Sequence, residues 1–388
     1  MDVIFAIHIL ALLFSFFVAG ALLGALFSKT FRDKLADIVR ETILRQRLER
    51  SARNPILRPG TSPWTAEAVL NPAAAFINGR THLIYRAIGM DGVSRLGYAS
   101  SPDGVVFDER LPYPVYVAHN PRNLPGYARR YSPVLYPSGG SWGGCEDPRM
   151  VVIDSRVHIT FNMFDGWEFI RVAVISIAQE DFLARRVDVW SGPVIISPPR
   201  ERHKNWILFP EKIRGKFAVL HSIAPGIEIA YRDSIAAIGT TEPFIDSWEG
   251  PRDCLPKRDD CWDSFIRSAG PPPLKTPQGW LLLYHAINER DRGRYKIGAM
   301  LLDLDDPTRV LYRAATPILS PDEPYENQGK PGIVYACGAV IREGTLFVYY
   351  GGADKVICVA TAPLAAFVDA IIAGSQPSFA SMTLAQTV

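Results

Sequence analysis

"NGRTHLIYRA", residues 78–87, opens on Asn-Gly and runs through Thr, Leu and Ile to a Tyr-Arg pair. Turn-forming Asn and Gly bound a short β-run that ends near an aromatic, so the stretch reads as a turn leading into a strand. Four more segments share this design: "DSRVHITFNMFDG" (154–166), "RGKFAVLHSI" (214–223), "PQGWLLLYHAI" (277–287) and "EGTLFVYYGG" (343–352). Each is followed by a second short β-run, in order "RLGYAS", "RVAVIS", "IEIAYR", "YKIGAML" and "KVICVAT". With Gly79, Ser155, Gly215, Gly279 and Gly344 as equivalent turn positions, successive spacings are 76, 60, 64 and 65 residues. A β-unit used five times predicts an all-β fold. Radial closure into a five-bladed β-propeller leaves only short protected edges, and five matched units favour it over a β-sandwich pair or an irregular barrel. The period exceeds the usual ~40–50 residues, so long loops must decorate each unit.

Before the repeat, residues 3–27 form an apolar run with only His8 and Ser15 as notable polar side chains, long enough to cross a bilayer as a helix. Asp2 is the only side-chain charge ahead of it, whereas a cleaved export signal carries a basic start. Lys29, Arg32, Lys34, Arg40, Arg45, Arg47, Arg50 and Arg53 follow, which by the positive-inside rule predicts a single-pass membrane anchor with the bulk of the chain facing the cytoplasm. The expected division is a transmembrane anchor (1–28), a basic juxtamembrane helix or linker (29–53), a catalytic propeller (54–365) and a C-terminal helix and tail (366–388). In the last part, "LAAFVDAIIAG" (364–374) has helical spacing.

The chain has 388 residues, 48% hydrophobic and 21% charged, enough for a large core and unlike a disordered chain or a disulfide miniprotein. A net charge of +2 lacks the basic field of a nucleic-acid binder, so nucleic acid is excluded as a partner. The five cysteines, Cys145, Cys254, Cys261, Cys337 and Cys358, show no zinc-ligand spacing, and Cys254 and Cys261 are either free thiols or a bridge across a loop.

Polar residues recur at the ends of apolar strands: Asn71, Arg86, Asp103, Glu146 with Asp147 and Arg149, Lys204 with Asn205, His221, Lys275, His285 and Asp354. Strands ringed about a centre would bring them to one cavity. Within "GGCEDPRM" (143–150), Asp147 is the candidate for proton transfer. Pro148 is expected to hold its backbone extended, Gly143 and Gly144 to leave room for a ligand, and Glu146 to point the opposite way. The alternative is a structural ion pair of Asp147 with Arg149. Arg86, Lys204 and Lys275 suit an anion or a sugar, and Trp142, Trp206, Tyr284 and Tyr349 suit either sugar faces or the core. His158, His203, His221 and His285 lack metal-ligand spacing, so no metal and no cofactor are expected. Neither a phosphate-binding glycine loop nor a GxSxG elbow occurs.

Across 54–364, "NPAAAFINGRTHLIYRA", "LGYASSPDG", "GGCEDPRM", "KNWILFPEKIRGKFAVLHS", "AGPPPLKTPQGWLLLYHAI", "IGAMLLDLDDP" and "CGAVIREGTLFVYYGGAD" resemble glycoside hydrolase family 130, the inverting β-mannoside phosphorylases and mannosidases on a five-bladed propeller. The resemblance implies that Asp147 is the catalytic acid, that Asn71 and Arg86 hold the sugar being cleaved, and that Asp354 binds sugar. It further implies that Asn205 and Lys275 contact sugar or phosphate, with Lys204 where an arginine occurs in relatives. Asp103, Glu146, Arg149 and His285 complete the expected substrate set, and Lys204, Lys275, His221 and Arg294 the anion set. A phosphorylase attacks with phosphate as co-substrate, whereas an inverting hydrolase needs a second carboxylate to activate water. Ser222 stands where relatives carry a phosphate-clamping arginine, which tilts the expectation to hydrolysis, with Glu228 as a possible base. The expected partner is a β-mannoside oligosaccharide or glycan. Alternatives are phosphorolysis releasing mannose 1-phosphate, β-mannosyl transfer in the synthetic direction, and a non-catalytic sugar-binding role.

Overall fold

The computed structural model describes residues 44–118, 130–165, 169–235 and 261–375, with Asp33, Asp37 and Arg258 besides. The chain divides into two units, Met1–Arg45 and Gln46–Val388. In the first, the described Asp33, Asp37, Leu44 and Arg45 are helical. The rest concerns the second.

Four of the five repeat turns pass through two consecutive residues at positive φ: Asn78 and Gly79 (48° and 77°), Asp154 and Ser155 (50° and 56°), Arg214 and Gly215 (52° and 77°), and Glu343 and Gly344 (47° and 74°). Turns of this hand match the right-handed twist of the strands they join, so each returns the chain directly against itself. At the fifth turn Gly279 lies at φ 147°.

Hydrogen bonds gather the strands into four sheets. In one, β1 (Glu49–Arg50) borders β20 (Val356–Pro363), followed by β19 (Thr345–Gly352) and β18 (Val334–Arg342), so the two ends of the unit meet. The largest runs β2 (Ala68–Ile77), β3 (Arg80–Ile88), β4 (Val93–Ser101), β6 (Gly143–Ile153), β7 (Arg156–Asp165), β8 (Phe169–Ala178) and β9 (Ser191–Ile195), with β5 (Glu109–Arg110) on β4. A third holds β10 (Ile207–Leu208), β11 (Phe217–Ser222) and β12 (Glu228–Arg232). The fourth runs β13 (Phe265–Ala269), β15 (Gly279–Asn288), β16 (Asp291–Leu302) and β17 (Val310–Arg313), with β14 (Leu274–Thr276) also on β15. Among the named strands every pairing is antiparallel except β4 with β6, where Val93 faces Gly143 and Ser94 faces Gly144. Gly144 has φ 107°, and a Cβ there would collide with the Ser94 carbonyl oxygen, so this seam requires glycine. The room read as space for a ligand is filled by backbone.

The all-β composition stands, but the five-bladed propeller led by a transmembrane helix is corrected. The strands form sheets of four, three, five and eight members, because the Gly143–Gly144 start of β6 lets it pair with β4 and merge two meanders. No helix among the described residues is long and apolar enough to cross a membrane. On that finding the membrane-anchored, cytoplasm-facing placement is withdrawn; the 3–27 run itself lies outside the described residues. Within 29–53, expected as a basic helix or linker, Glu49–Arg50 is a short strand held on β20 opposite Thr361 and Ala360. Residues 364–374 do form a helix, burying Phe367, Val368, Ala370 and Ile371. Cys145, Cys337 and Cys358 are buried free thiols and Cys261 is free and half-buried; Cys254 lies outside the described residues.

One irregularity recurs. β2, β6, β11, β13 and β18 each gain one residue on their partner strand, between Leu70 and Ala73, Glu146 and Arg149, Leu220 and Ser222, Ile266 and Ser268, and Ala336 and Gly338. The residues left out of the ladder are Asn71-Pro72, Asp147-Pro148, His221, Arg267 and Cys337. In the first two the cause is plain, since proline has no N–H to give the ladder. A bulge of this kind re-aims the side chain it carries.

Candidate active site

Asn71, Asp147 and Arg267, from three of these bulges, line one cavity of about 370 Å³. Arg86 from β3, Lys204 and Asn205 ahead of β10, Asp354 from the β19–β20 turn, and Tyr295, Lys330 and Tyr335 line it too. Asn71, Asp147, Asn205 and Asp354 all lie at positive φ, 47°, 50°, 63° and 52°. Asn and Asp tolerate this region best among residues with a Cβ, and its cost of about 1–3 kcal/mol is typical of functional sites.

Asp147 is nearly buried. Its Oδ1 accepts from Asn71 Nδ2 (2.7 Å) and from Arg86 Nη1 (3.2 Å). Burial alone would raise its pKa; the Arg86 and Lys204 charges, the Asn71 hydrogen bond and Arg149 outweigh it and hold the carboxyl below its usual range. Arg86 also donates through Nη2 to Glu146 Oε1 (2.8 Å), Ser141 Oγ (2.7 Å) and the Ser138 carbonyl (2.7 Å). The bulge therefore breaks the expected alternation: Glu146 and Asp147 reach the same guanidinium. Arg149 donates to the Asp147 backbone carbonyl (2.9 Å) and to the carbonyls of Gly270 and Ala269, so the side-chain ion pair with Asp147 is not made.

Glu146 is wholly buried and saturated, accepting also from Ser138 Oγ (2.9 Å) and Lys204 Nζ (2.8 Å). Its place is beneath the cavity, orienting Arg86 and Lys204. His285 is likewise beneath: Nε2 accepts from the Ala336 N–H (2.9 Å), Nδ1 meets Ser268 Oγ (3.1 Å), and its ring stacks on Tyr335 with centroids 3.7 Å apart. Burial, then the Arg149 charge, pushes its pKa down to about 3, so it is neutral. For Asp354, burial raises the pKa above the usual range against Lys330 and Arg86, with the Asp147 charge adding to the rise. Lys330 Nζ lies 3.5 Å from it and donates to the Pro137 carbonyl (2.9 Å). Asn71 Oδ1 is buried with no partner among the described residues, a ready acceptor for a ligand hydroxyl.

A second cavity of about 210 Å³ shares Lys204, Asn205, Arg267 and Ser268 with the first and adds His221 and Ser222. Asn205 is fixed by Asn162, whose Oδ1 accepts its backbone N–H (2.8 Å) and whose Nδ2 donates to its Oδ1 (3.1 Å). Glu228 approaches His221 Nδ1 at 3.6 Å and lines neither cavity.

Other residues chosen from sequence stand elsewhere. Asp103 accepts from the N–H groups of Val105 and Val106 in a turn. Lys275 is exposed, paired with Glu211. Arg294 pairs with Asp322 (3.2 Å) in a separate open cleft. Trp206, Tyr284 and Tyr349 are core residues. The aromatic rings at the cavity are Tyr295 and Tyr335, and these, with Arg267 and Lys330, were missed; for Arg267 the available signal was its place just ahead of "AGPPPLKT".

A glycoside hydrolase family 130 model, described as beta-1,4-mannooligosaccharide phosphorylase, matches residues 40–372. The chain is 36% identical over 323 residues to a 1,2-beta-oligomannan phosphorylase of Thermoanaerobacter sp. strain X514, covering 81% of this chain and 96% of that protein. It is 32% identical over 329 residues to a beta-1,2-mannobiose phosphorylase of the same organism, with the same coverage. Among solved structures it is similar to the beta-1,2-mannobiose phosphorylase of Listeria innocua in complex with beta-1,2-mannobiose, at TM-score 0.63 and 24% identity, covering 84% of this chain and 99% of that one, a likeness of fold.

Proposed function

Because the chain belongs to glycoside hydrolase family 130, we propose that it breaks β-mannosidic bonds by inverting phosphorolysis, with a β-1,2-linked mannoside as donor and inorganic phosphate as co-substrate. It is an enzyme of the glycoside phosphorylase and hydrolase kind. The observation that carries the finer reading is one nearly buried carboxylate, Asp147, bonded by Asn71 and Arg86 in a cavity that also holds the Lys204 ammonium.

In the proposed step a phosphate oxygen bonds to the anomeric carbon as the glycosidic C–O bond breaks. The leaving oxygen takes the proton of Asp147, directly or through a sugar hydroxyl. The proton of the attacking hydrogen phosphate restores Asp147, so mannose 1-phosphate and the shortened glycan leave with protons and charge balanced. In the free site the cations keep Asp147 ionised. A phosphate dianion beside Lys204 offsets their field and raises the proton affinity of the carboxyl, so the co-substrate prepares the acid.

Two observations favour phosphorolysis over the hydrolysis that Ser222 suggested. Inverting hydrolysis needs a second carboxylate as base; the candidate for it, Glu228, lines neither cavity. Both curated relatives above are phosphorylases by name. The same site run backwards, from mannose 1-phosphate, accounts for the synthetic alternative. The test is β-1,2-mannobiose with and without phosphate: mannose 1-phosphate should form only when phosphate is added. Free mannose released at an undiminished rate in its absence would reject the proposal in favour of hydrolysis.

A further inference from the structure

We propose that Arg50, ahead of the repeated β-units, is a positioning residue for the substrate cavity, acting through the buried Glu326 on the loop that carries Lys330; this rests on the reading above that the cavity takes a mannoside. Arg50 is one of the basic residues read from sequence as flanking an anchor, and it turns into the protein instead. From β1, on the edge of β20, its Nε donates to Glu326 Oε1 (2.8 Å), and its Nη2 to Glu326 Oε2 (2.9 Å) and to the Ser320 carbonyl. Glu326 is wholly buried and closes a single helical turn, Pro324–Glu326. Its Oε1 also accepts from Tyr350 Oη (2.8 Å) and its Oε2 from the Glu323 N–H (2.9 Å), so strand, turn and β19 all meet at one carboxylate.

The turn leads directly into the cavity wall. The Glu326 carbonyl accepts from the Ile333 N–H (3.4 Å), and Asn327 Oδ1 accepts from the Gly332 N–H (3.0 Å), which draws the loop between them closed. Within it the Lys330 N–H donates to the carbonyl of Ala353, next to Asp354 (2.8 Å). Lys330 Nζ lies 3.5 Å from Asp354 and donates to the Pro137 carbonyl. The Tyr295 N–H donates to the Gly332 carbonyl (2.8 Å), and Lys330, Ile333 and Tyr295 all line the cavity. A guanidinium fork fixes both oxygens of a carboxylate, and so the angle of the chain that bears it, whereas an ammonium fixes a point. Without Arg50, Glu326 is a buried charge short of its cation, and the turn must shift or take up a proton. Lys330 follows that shift and leaves its place between Asp354 and Pro137.

Steady-state kinetics of the full chain, following loss of β-1,2-mannobiose, test this in Arg50→Ala, Lys330→Ala and the double variant. Arg50→Ala should raise the KM for mannobiose about three- to thirty-fold, the size of a coupling through one network, and leave the KM for phosphate within about twofold. In the Lys330→Ala background the same change should add less than about twofold, because the group it positions is gone. Arg50→Lys should fall between the parent and Arg50→Ala, keeping charge but losing the fork. Loss of folded enzyme alone lowers kcat and leaves KM unmoved. An unmoved mannobiose KM in Arg50→Ala, or a rise as large without Lys330 as with it, overturns the assignment. If Arg50→Ala does not fold, Arg50→Lys takes its place in the cycle and the same outcomes decide. A parent that consumes mannobiose without phosphate overturns phosphorolysis and leaves Arg50 to be judged by the cycle; a parent that leaves mannobiose untouched overturns both.

Discussion

Asp147 at φ 50° is a carboxylate whose chemistry and backbone can be tested apart, because asparagine tolerates the same left-handed conformation. Asp147→Asn keeps the shape, leaves Arg86 paired with Glu146, and removes the transferable proton. Turnover should fall about 10²- to 10⁴-fold, with the melting midpoint within a few degrees of the parent. Mannose 1-phosphate release and a thermal melt on one preparation check this; activity above a tenth of the parent's would rule out Asp147 as the acid. Asp147, Asn71, Arg86 and Asp354 were legible because each sits in a short motif beside a turn or proline. What the motif does not convey is direction: Pro148 suggests an extended Asp147 with Glu146 turned away, whereas the bulge sends both carboxylates to one guanidinium. Arg267 stayed hidden because its one signal, a place just ahead of "AGPPPLKT", does not show that the strand gains a residue there.

At the scale of elements, the hairpin turns announced themselves and the sheet boundaries did not. A two-residue loop depends on its own φ angles, so Asn78-Gly79 suffices to place it. The β4–β6 seam depends on whether backbones 50 residues apart in sequence touch, and only the bare Cα of Gly144 lets them. A pair of substitutions separates the two roles. Gly79 has open space around a Cβ site, so Gly79→Ala should cost about 1 kcal/mol, for its positive φ alone. Gly144→Ala adds a collision with the Ser94 carbonyl and should cost about 3 kcal/mol or more. Urea unfolding of both variants measures the difference; equal costs would mean that the seam gives way readily.

Over the whole molecule, three histidines are buried on strands, His82 and His158 in the largest sheet and His285 in the fourth. Burial lowers His82 and His158 to about 4 and His285 to about 3. Their folded pKa values lie below the unfolded one, near 6.5, so the unfolded chain takes up protons first as pH falls, and stability is lost from about pH 6.5 downward. Between pH 7 and 5 the loss should be roughly 1–2 kcal/mol per histidine, seen as a falling urea midpoint; a midpoint flat over that range would contradict their burial. The segment Pro137–Ser138 is pinned by three cations of the cavity: Arg86 and Lys204, which lower the pKa of Asp147, hold Ser138, and Lys330, which lies near Asp354, holds Pro137. Displacing that short segment would strip one acceptor from each of Arg86, Lys204 and Lys330 at once, so the wall of the cavity and its positive charges are a single piece of construction.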